Sequence, residues 1–275
     1  MKCVSDLISS KVKVSTGDDC HRTVTSDGDF ISVADMTGNG NDKYMTKLTG
    51  TSWGAKPHVL RTSALALSVS AAEYAPVWRN SSHARQVDVA MNETARIVTG
   101  CLKLTPVDHI YQLAGIAPAK IRRRVAAEIE RLKQITDNRH PLFNHRIQAT
   151  RLKSRRNFFM TTEPINTHAY TRRTELWRQA VTQPLFDLKE EPPPGSNLPY
   201  STWKSLNRLR SGVSRCKSNL RRWGYTDDDT CECGEIQTHD HLLTCNLLDH
   251  RCTQDDLAQA NERAVHVARF WEKKI

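Results

Sequence analysis

The chain has 275 residues, of which 38% are hydrophobic and 7% aromatic, and its 40 Lys and Arg against 30 Asp and Glu give a formal net charge of +10. This length is typical of one or two domains with modest cores. No stretch approaches the roughly 18 consecutive apolar residues of a membrane-spanning helix, and the first residues lack the apolar segment of a secretion signal. We therefore expect an intracellular protein, cytoplasmic or nuclear, with no membrane partner.

The beginning of the chain differs in composition from the rest. Residues 1–45 are rich in Ser, Thr, Asp and Gly without hydrophobic periodicity, which predicts a disordered or unrelated lead because little apolar surface is available to offset the ordering entropy. From about Leu60 the pattern becomes helical, and Gly100 supplies a stop. Four apolar residues before this stop share one helical face: Val87, Met91, Ala95 and Val98.

Two further helices complete a predicted helical domain over residues 46–138. The first opens with Thr105 as its cap and Pro106 in its first turn, and it ends at Gly115. The second follows Pro118 and carries five apolar residues at helical spacing: Ile121, Val125, Ile129, Leu132 and Ile135. Such a stripe is more typical of core packing than of a binding groove, so we expect it to be buried.

The second half reads as a linker followed by a smaller module. Residues 139–198 are basic, with one short helix around ELWRQAV and a proline-rich break, KEEPPPGSN, which we take as the domain boundary. Residues 199–275 predict a C-terminal helical module. Its first helix carries Trp203, Leu206 and Leu209, and one last amphipathic helix carries four apolar residues: Leu257, Ala264, Ala268 and Trp271. The fold class is therefore mostly α.

Within this module, the stretch CECGEIQTHDHLLTC contains three cysteines and two histidines. Four of its residues have the spacing Cys-x-Cys-x7-His-x3-Cys: Cys231, Cys233, His241 and Cys245. Three sulfurs and one nitrogen are ligands that a tetrahedral structural Zn²⁺ prefers. His239 and Cys252 compete for a ligand position, and free thiols are the alternative to a metal. With all four positions occupied by protein, we predict a structural ion that holds a small fold together.

Basic residues are concentrated in the middle of the chain. From Pro118 to Tyr225 there are 23 basic and 8 acidic side chains, a balance of +15. This density predicts phosphate contacts with RNA or DNA through counterion release, and a solvated basic face that binds nothing specific is the alternative. The predicted contact residues lie in three runs: Arg122, Arg123, Arg124; Arg151, Lys153, Arg155, Arg156; and Arg208, Arg210, Arg221, Arg222.

Several of these stretches carry a family resemblance. The runs TGTSWGAKPHVLRTSALALSVSAAEYAPVW and IVTGCLKLTPVDHIYQLAGIAPAKIRR resemble the region after the polymerase palm in reverse transcriptases of non-LTR retrotransposons of the jockey and CR1 kind. LNRLRSGVSRCKSNLRRWGYTDDDTCECGEIQTHDHLLTC resembles their C-terminal cysteine-histidine module. The resemblance implies a thumb-like helical domain, a zinc module that helps to hold nucleic acid, and membership of an element-encoded RNA–protein complex.

The sequence departs from this family in one important respect. A reverse transcriptase binds two Mg²⁺ ions with paired aspartates, but no aromatic-x-Asp-Asp hairpin occurs here, and residues 1–40 resemble nothing in these elements. We therefore expect a truncated reverse transcriptase that binds nucleic acid and has no catalytic residues of its own. A zinc-stabilised protein interaction module without a nucleic-acid role is the alternative.

Overall fold

The computed structural model describes residues 22–24, 30–32, 45–49, 54–73, 84–145 and 158–275. The mostly α fold class is confirmed for this part of the chain, although the two short strands β1 (Arg22–Val24) and β2 (Phe30–Ser32) pair antiparallel. The rest of the predicted lead over residues 1–45 lies outside the described residues, apart from residue 45. No helix in the described ranges combines the length and apolar character needed to cross a membrane.

Eleven α-helices have defined bounds in the described ranges, and their buried side chains form four clusters, of which the two largest are the first and the second core. In chain order they are α1 (Pro57–Ala64), α2 (Ser70–Glu73), α3 (Ala84–Thr99), α4 (Val107–Ala114), α5 (Ala119–Thr136), α6 (Ala169–Ala180), α7 (Tyr200–Arg210), α8 (Lys217–Arg222), α9 (His241–Thr244), α10 (Gln254–Gln259) and α11 (Glu262–Phe270). A π-helical segment, Leu65–Val69, joins α1 to α2, and a 3-10 turn covers Phe158–Thr161.

The first core forms around α3, as its apolar spacing predicts. The four residues of the predicted face are all buried, with Val98 only 1% exposed, and Gly100 ends the helix with a positive φ of 69°. Residues of α1 and α4 pack against α3, and Trp177 of α6 joins the same cluster. Periodicity alone therefore locates this helix and the face that it buries.

A second core gathers α7, α10, α11 and the metal-ligand candidates. Trp203, Leu206 and Leu209 all lie in it, each no more than 1% exposed, so the predicted face of α7 is confirmed. From α11 come Ala264 and Ala268, and Trp271 follows that helix. This core holds the C-terminal residues together around the cysteines.

The two cores meet where α7 packs against the end of α3. Four side chains of α7 donate hydrogen bonds to successive carbonyls at the C-terminal end of α3: Tyr200 to Ile97 (2.6 Å), Trp203 to Val98 (3.0 Å), Asn207 to Thr99 (2.9 Å) and Arg208 to Gly100 (3.2 Å). The last carbonyls of a helix have no partners within it. The donors from α7 supply these partners and couple the two cores.

Buried arginines also hold the proline-rich segment at both ends. Arg61 donates to the carbonyls of Gly115 and Glu190, and Arg210 donates to the carbonyls of Pro194 and Leu257. These bonds tie the segment between the first core and the second. The predicted boundary at KEEPPPGSN therefore lies between two cores, but the segment is fixed to both of them.

Three local predictions are wrong. Thr105 does not cap α4, because its hydroxyl is buried without a hydrogen-bond partner among the described residues. Ile135 is 41% exposed, so the stripe of α5 leaves the interior before the helix ends. The last helix is broken at Ala260, whose φ is 51°, and Asn261 then caps α11 by accepting a hydrogen bond from the Ala264 amide.

Candidate metal centre and basic surface

The four predicted ligands converge at one point. Their ligand atoms all lie within 4.8 Å of one another: Cys231, Cys233, His241 and Cys245. The two buried sulfurs of the set, those of Cys231 and Cys245, are 3.9 Å apart. The Sγ atom of Cys233 is 3.3 Å from Nε2 of His241. This cluster of three sulfurs and one nitrogen can hold a metal ion.

A tight turn presents the first two cysteines. Thr230 and Ile236 form an isolated antiparallel bridge, and the Cys231 amide donates to the carbonyl of Glu235 (2.7 Å). Inside this turn Gly234 has a φ of 92°, a conformation that favours glycine. The backbone of this turn therefore sets the positions of both cysteines.

The short helix α9 presents the other two ligands. The Thr238 hydroxyl accepts a hydrogen bond from the His241 amide (3.2 Å) at the start of this helix. Cys245 follows the last residue of α9 and lies in the second core. Trp271 donates from its indole nitrogen to the carbonyl of Leu242 (2.8 Å), which fixes α9 against the core.

Two polar neighbours complete the cluster, and sequence reasoning missed both. A carboxylate oxygen of Glu235 lies 3.0 Å from Nδ1 of His241, which leaves Nε2 directed at Cys233. The amide nitrogen of Gln237 donates to the sulfur of Cys231 (3.6 Å). Such partners orient metal ligands and hold them in their binding form. In the sequence, Glu235 and Gln237 lie between the two cysteines and His241, and this placement is the signal that could have indicated them.

The thiols of the cluster differ in acidity. Burial raises the pKa of Cys231, but hydrogen bonds from the Cys233 amide and from His241 and Gln237 outweigh it and bring the pKa to about 6. Burial and, after it, the neighbouring thiols Cys233 and Cys231 together raise the pKa of Cys245 to about 11. One sulfur is therefore readily ionised, and a bound cation would favour ionisation of the other.

The two competing ligands lie outside the cluster, as the sequence spacing predicts. Cys252 is buried in the second core, and burial raises the pKa of its thiol to about 11. His239 is also excluded from the group of converging ligand atoms. The ligand set therefore consists of the four predicted residues within the described part of the chain.

The predicted basic residues have different surroundings, and those of α5 are largely occupied. Arg122 forms ion pairs with Glu73 and Glu190, and Arg123 donates to Asp88 (2.6 Å). Both arginine side chains are at most 13% exposed. Because both side chains are largely buried and paired with carboxylates, they are poorly placed for the phosphate contacts predicted for them. Arg124 is 46% exposed and pairs with Glu128 one turn along the helix.

The basic residues of the C-terminal run differ from one another in exposure and in ion pairing. Arg210 is 5% exposed and donates to backbone carbonyls, so it is unavailable for phosphate. Arg221 is exposed but paired with Asp229 (2.7 Å), whereas Arg222 is exposed without an ion pair to any described residue. Arg208 is half-buried and donates to the main-chain oxygens of Gly100 and Ile275. The other four predicted contacts lie outside the described residues: Arg151, Lys153, Arg155 and Arg156.

Carboxylates do not converge on a second metal site in the described ranges, where the cysteine-histidine cluster is the only group of that kind. Asp256 instead forms a capping box with Thr253 at the start of α10. Asp228 and Asp229 pair with Lys217 and Arg221. Comparison of the chain with protein-family models, curated proteins and solved structures gives no match.

Proposed function

We propose that the chain is a nucleic-acid-binding piece of a non-LTR retrotransposon reverse transcriptase, consisting of thumb-like helices and a zinc module without a catalytic palm. The observation that carries this proposal is the convergence of Cys231, Cys233, His241 and Cys245. These are the ligands of the stretch that resembles the cysteine-histidine module of such elements. The proposed partner is RNA or DNA, bound through phosphate contacts.

Zn²⁺ is the ion that this donor set fits. In a tetrahedral site with Zn–S near 2.3 Å, two sulfurs lie about 3.8 Å apart, and the sulfurs of Cys231 and Cys245 are 3.9 Å apart. A zinc ion here would be structural, because four protein ligands leave no position for an activated water. It would join the turn at Cys231 to α9 and thereby complete the second core.

The binding role follows from charge. A segment with a balance of +15 between Pro118 and Tyr225 attracts a phosphate backbone and releases condensed counterions. Binding of this kind shows little sequence preference, because phosphates carry no base information. Exposed cations would provide the affinity for phosphate, and the metal and the two cores would hold those cations in place.

Equilibrium binding of the full chain to an RNA oligonucleotide and a DNA duplex, titrated across salt concentration, tests this function. We expect log-linear weakening with salt and similar affinity for unrelated sequences. A primed template with Mg²⁺ or Mn²⁺ should give no nucleotide incorporation. Undetectable binding at low salt would overturn the nucleic-acid role.

One observation favours the alternative of a protein interaction module. Tyr225 is 79% exposed and Ile236 is 59% exposed, and both lie next to the metal-binding turn. Large apolar side chains on a surface are typical of interaction sites. Under this alternative, replacing exposed cations would leave partner binding unchanged while replacing Tyr225 and Ile236 would abolish it.

A further inference from the structure

We propose that Lys204, Arg208 and Arg215 form a single phosphate-binding cluster at the junction of the two cores, and that this cluster is the principal contact of the chain with a nucleic-acid backbone. The inference rests on the proposed nucleic-acid function and deepens it by naming the surface. Two of the three residues, Lys204 and Arg215, are not apparent as contacts from the density of basic residues alone.

The fold fixes each of the three positions. Lys204 and Arg208 are one turn apart on α7, and the Lys204 stem lies so close to Gly100 that a Cβ atom there would be 2.6 Å from its Cγ. Arg208 donates from Nε to the Gly100 carbonyl (3.2 Å) and from Nη1 to the Ile275 carbonyl (2.6 Å). Its Nη2 atom makes no hydrogen bond to a described residue and remains available for a ligand.

Arg215 lies on the short connection after α7, and its charge acts on both Lys204 and Arg208. The residues on either side of it, Ser214 and Cys216, are at most 1% exposed, whereas Arg215 itself is exposed. Asn219 donates to the Ser214 carbonyl (2.9 Å) and fixes the backbone of this connection. The guanidinium of Arg215 is therefore presented to solvent from an ordered backbone.

The three charges act on one another, and no Asp or Glu side chain forms an ion pair with them in the described residues. Burial and then the neighbouring Arg208 and Arg215 lower the pKa of Lys204, and burial and then Arg215 lower the pKa of Arg208. The nearest counter-charges are the main-chain oxygen of Ile275, which accepts from Arg208, and the side chain of Glu272. Glu272 acts on Lys204 through its charge, but it accepts its hydrogen bond from the Thr202 hydroxyl (2.9 Å).

The end of α3 offsets only part of this charge. A helix C-terminus carries a partial charge of about −0.5, against three formal positive charges. A phosphodiester would supply the missing negative charge, and an arginine presents its donors in the geometry that phosphate accepts. Because the repulsion persists without a ligand, the cluster stabilises a complex more than it stabilises the free protein.

The test compares two doubly substituted full-length chains with wild type. Lys204→Gln/Arg215→Gln removes one lysine and one arginine from the cluster. Arg178→Gln/Lys189→Gln removes the same residue types from a pair that is 52% exposed and shares an ion-pair partner, Asp187. Binding to a single-stranded RNA and to a DNA duplex is measured across salt, and the thermal midpoint of each variant is recorded.

For Lys204→Gln/Arg215→Gln we expect the salt slope to fall by about 1.4 for RNA and 1.8 for duplex, which corresponds to a loss of affinity of about 25-fold to 60-fold at 0.1 M salt. Its thermal midpoint should be unchanged or higher, because repulsion is removed. The charge-preserving variant Lys204→Arg/Arg215→Lys should retain the wild-type slope. The Arg178→Gln/Lys189→Gln control should also retain it.

Equal losses in the two Gln variants would overturn the cluster while leaving nucleic-acid binding intact. A lower thermal midpoint with loss of binding in both the Gln and the charge-preserving variants would assign Lys204 and Arg215 a structural role and also overturn the inference. Absence of binding by wild type would instead overturn the proposed function itself.

Discussion

Two arginine-rich regions of similar sequence have opposite environments in this protein. On α5, Arg122 and Arg123 are enclosed by Glu73, Asp88 and Glu190. On α7 and after it, Lys204, Arg208 and Arg215 form no ion pair with an Asp or Glu of the described residues. The first region uses its charge to hold helices together, and the second leaves its charge for a ligand. Charge density along a sequence therefore does not show which cations are available.

The largest effect should come from removing the proposed Zn²⁺ ion, which would hold together the core that carries the second region. Structural Zn²⁺ contributes about 10–16 kcal/mol in small modules, which is comparable with the entire stability of a domain. We expect about one zinc per chain, and loss of helical signal on chelation, by metal analysis and circular dichroism. Cys233→Ser should reproduce the effect of the chelator.

Cys252→Ala is the matched control, because Cys252 is buried in the same core but lies outside the cluster. It should retain the full metal content. If Cys252→Ala loses the metal while Cys233→Ser keeps it, the ligand set is wrong.

Breaking a buried pair on α5 should have the next largest effect. Arg122→Gln leaves Glu73 without its pair and removes one of the two arginines on Glu190, and loss of one partner of a buried pair costs about 3–5 kcal/mol. We expect this loss in denaturant unfolding, with an unchanged salt slope for RNA binding.

Arg124→Gln provides a comparison within the same run of three arginines. Its side chain is 46% exposed and its partner Glu128 also pairs with Arg172, so we expect a change below about 0.5 kcal/mol. An Arg122→Gln variant of wild-type stability and reduced salt slope would show that α5 is a phosphate surface after all.

A smaller effect should come from weakening the junction that carries the charged cluster. Asn207 is fully buried and donates to the Thr99 carbonyl. Asn207→Ala leaves that carbonyl without its donor from α7, which costs about 1–3 kcal/mol for a buried group. Denaturant unfolding of the full chain measures this loss. A change within error would mean that α7 and α3 contact each other without coupling the two cores.

Much of the fold was predictable because helices depend on local patterns. The apolar spacing of α3, the glycine after it and the face of α7 are all set by residues within a few turns of one another. The break at Ala260 was not predictable in this way, since apolar residues at helical spacing continue from Leu257 to Trp271 across a left-handed residue. Thr105 likewise is a residue type that often caps helices, but its side chain makes no capping hydrogen bond to α4.

The metal centre was predictable for the same reason, since its four ligands lie within 15 residues. The ion-pair partners of the arginines were not predictable from the sequence. Arg123 pairs with a carboxylate 35 positions away, and Arg122 with carboxylates 49 and 68 positions away. Only tertiary packing determines such pairs. Arg208 was among the predicted contacts, but Lys204 and Arg215 were not, because they stand as single basic residues between polar and apolar neighbours and only α7 and the turn after it bring them to Arg208.

Protection of lysine side chains from chemical acetylation tests the central claim most directly. Lys204 and Lys189 are labelled in the free full-length chain and in its complex with RNA, and the modified sites are quantified by mass spectrometry. We predict that RNA protects Lys204 strongly and leaves Lys189, which pairs with Asp187, as reactive as before. Equal protection of both lysines, or none at Lys204, would contradict a phosphate-binding cluster at the junction of the two cores.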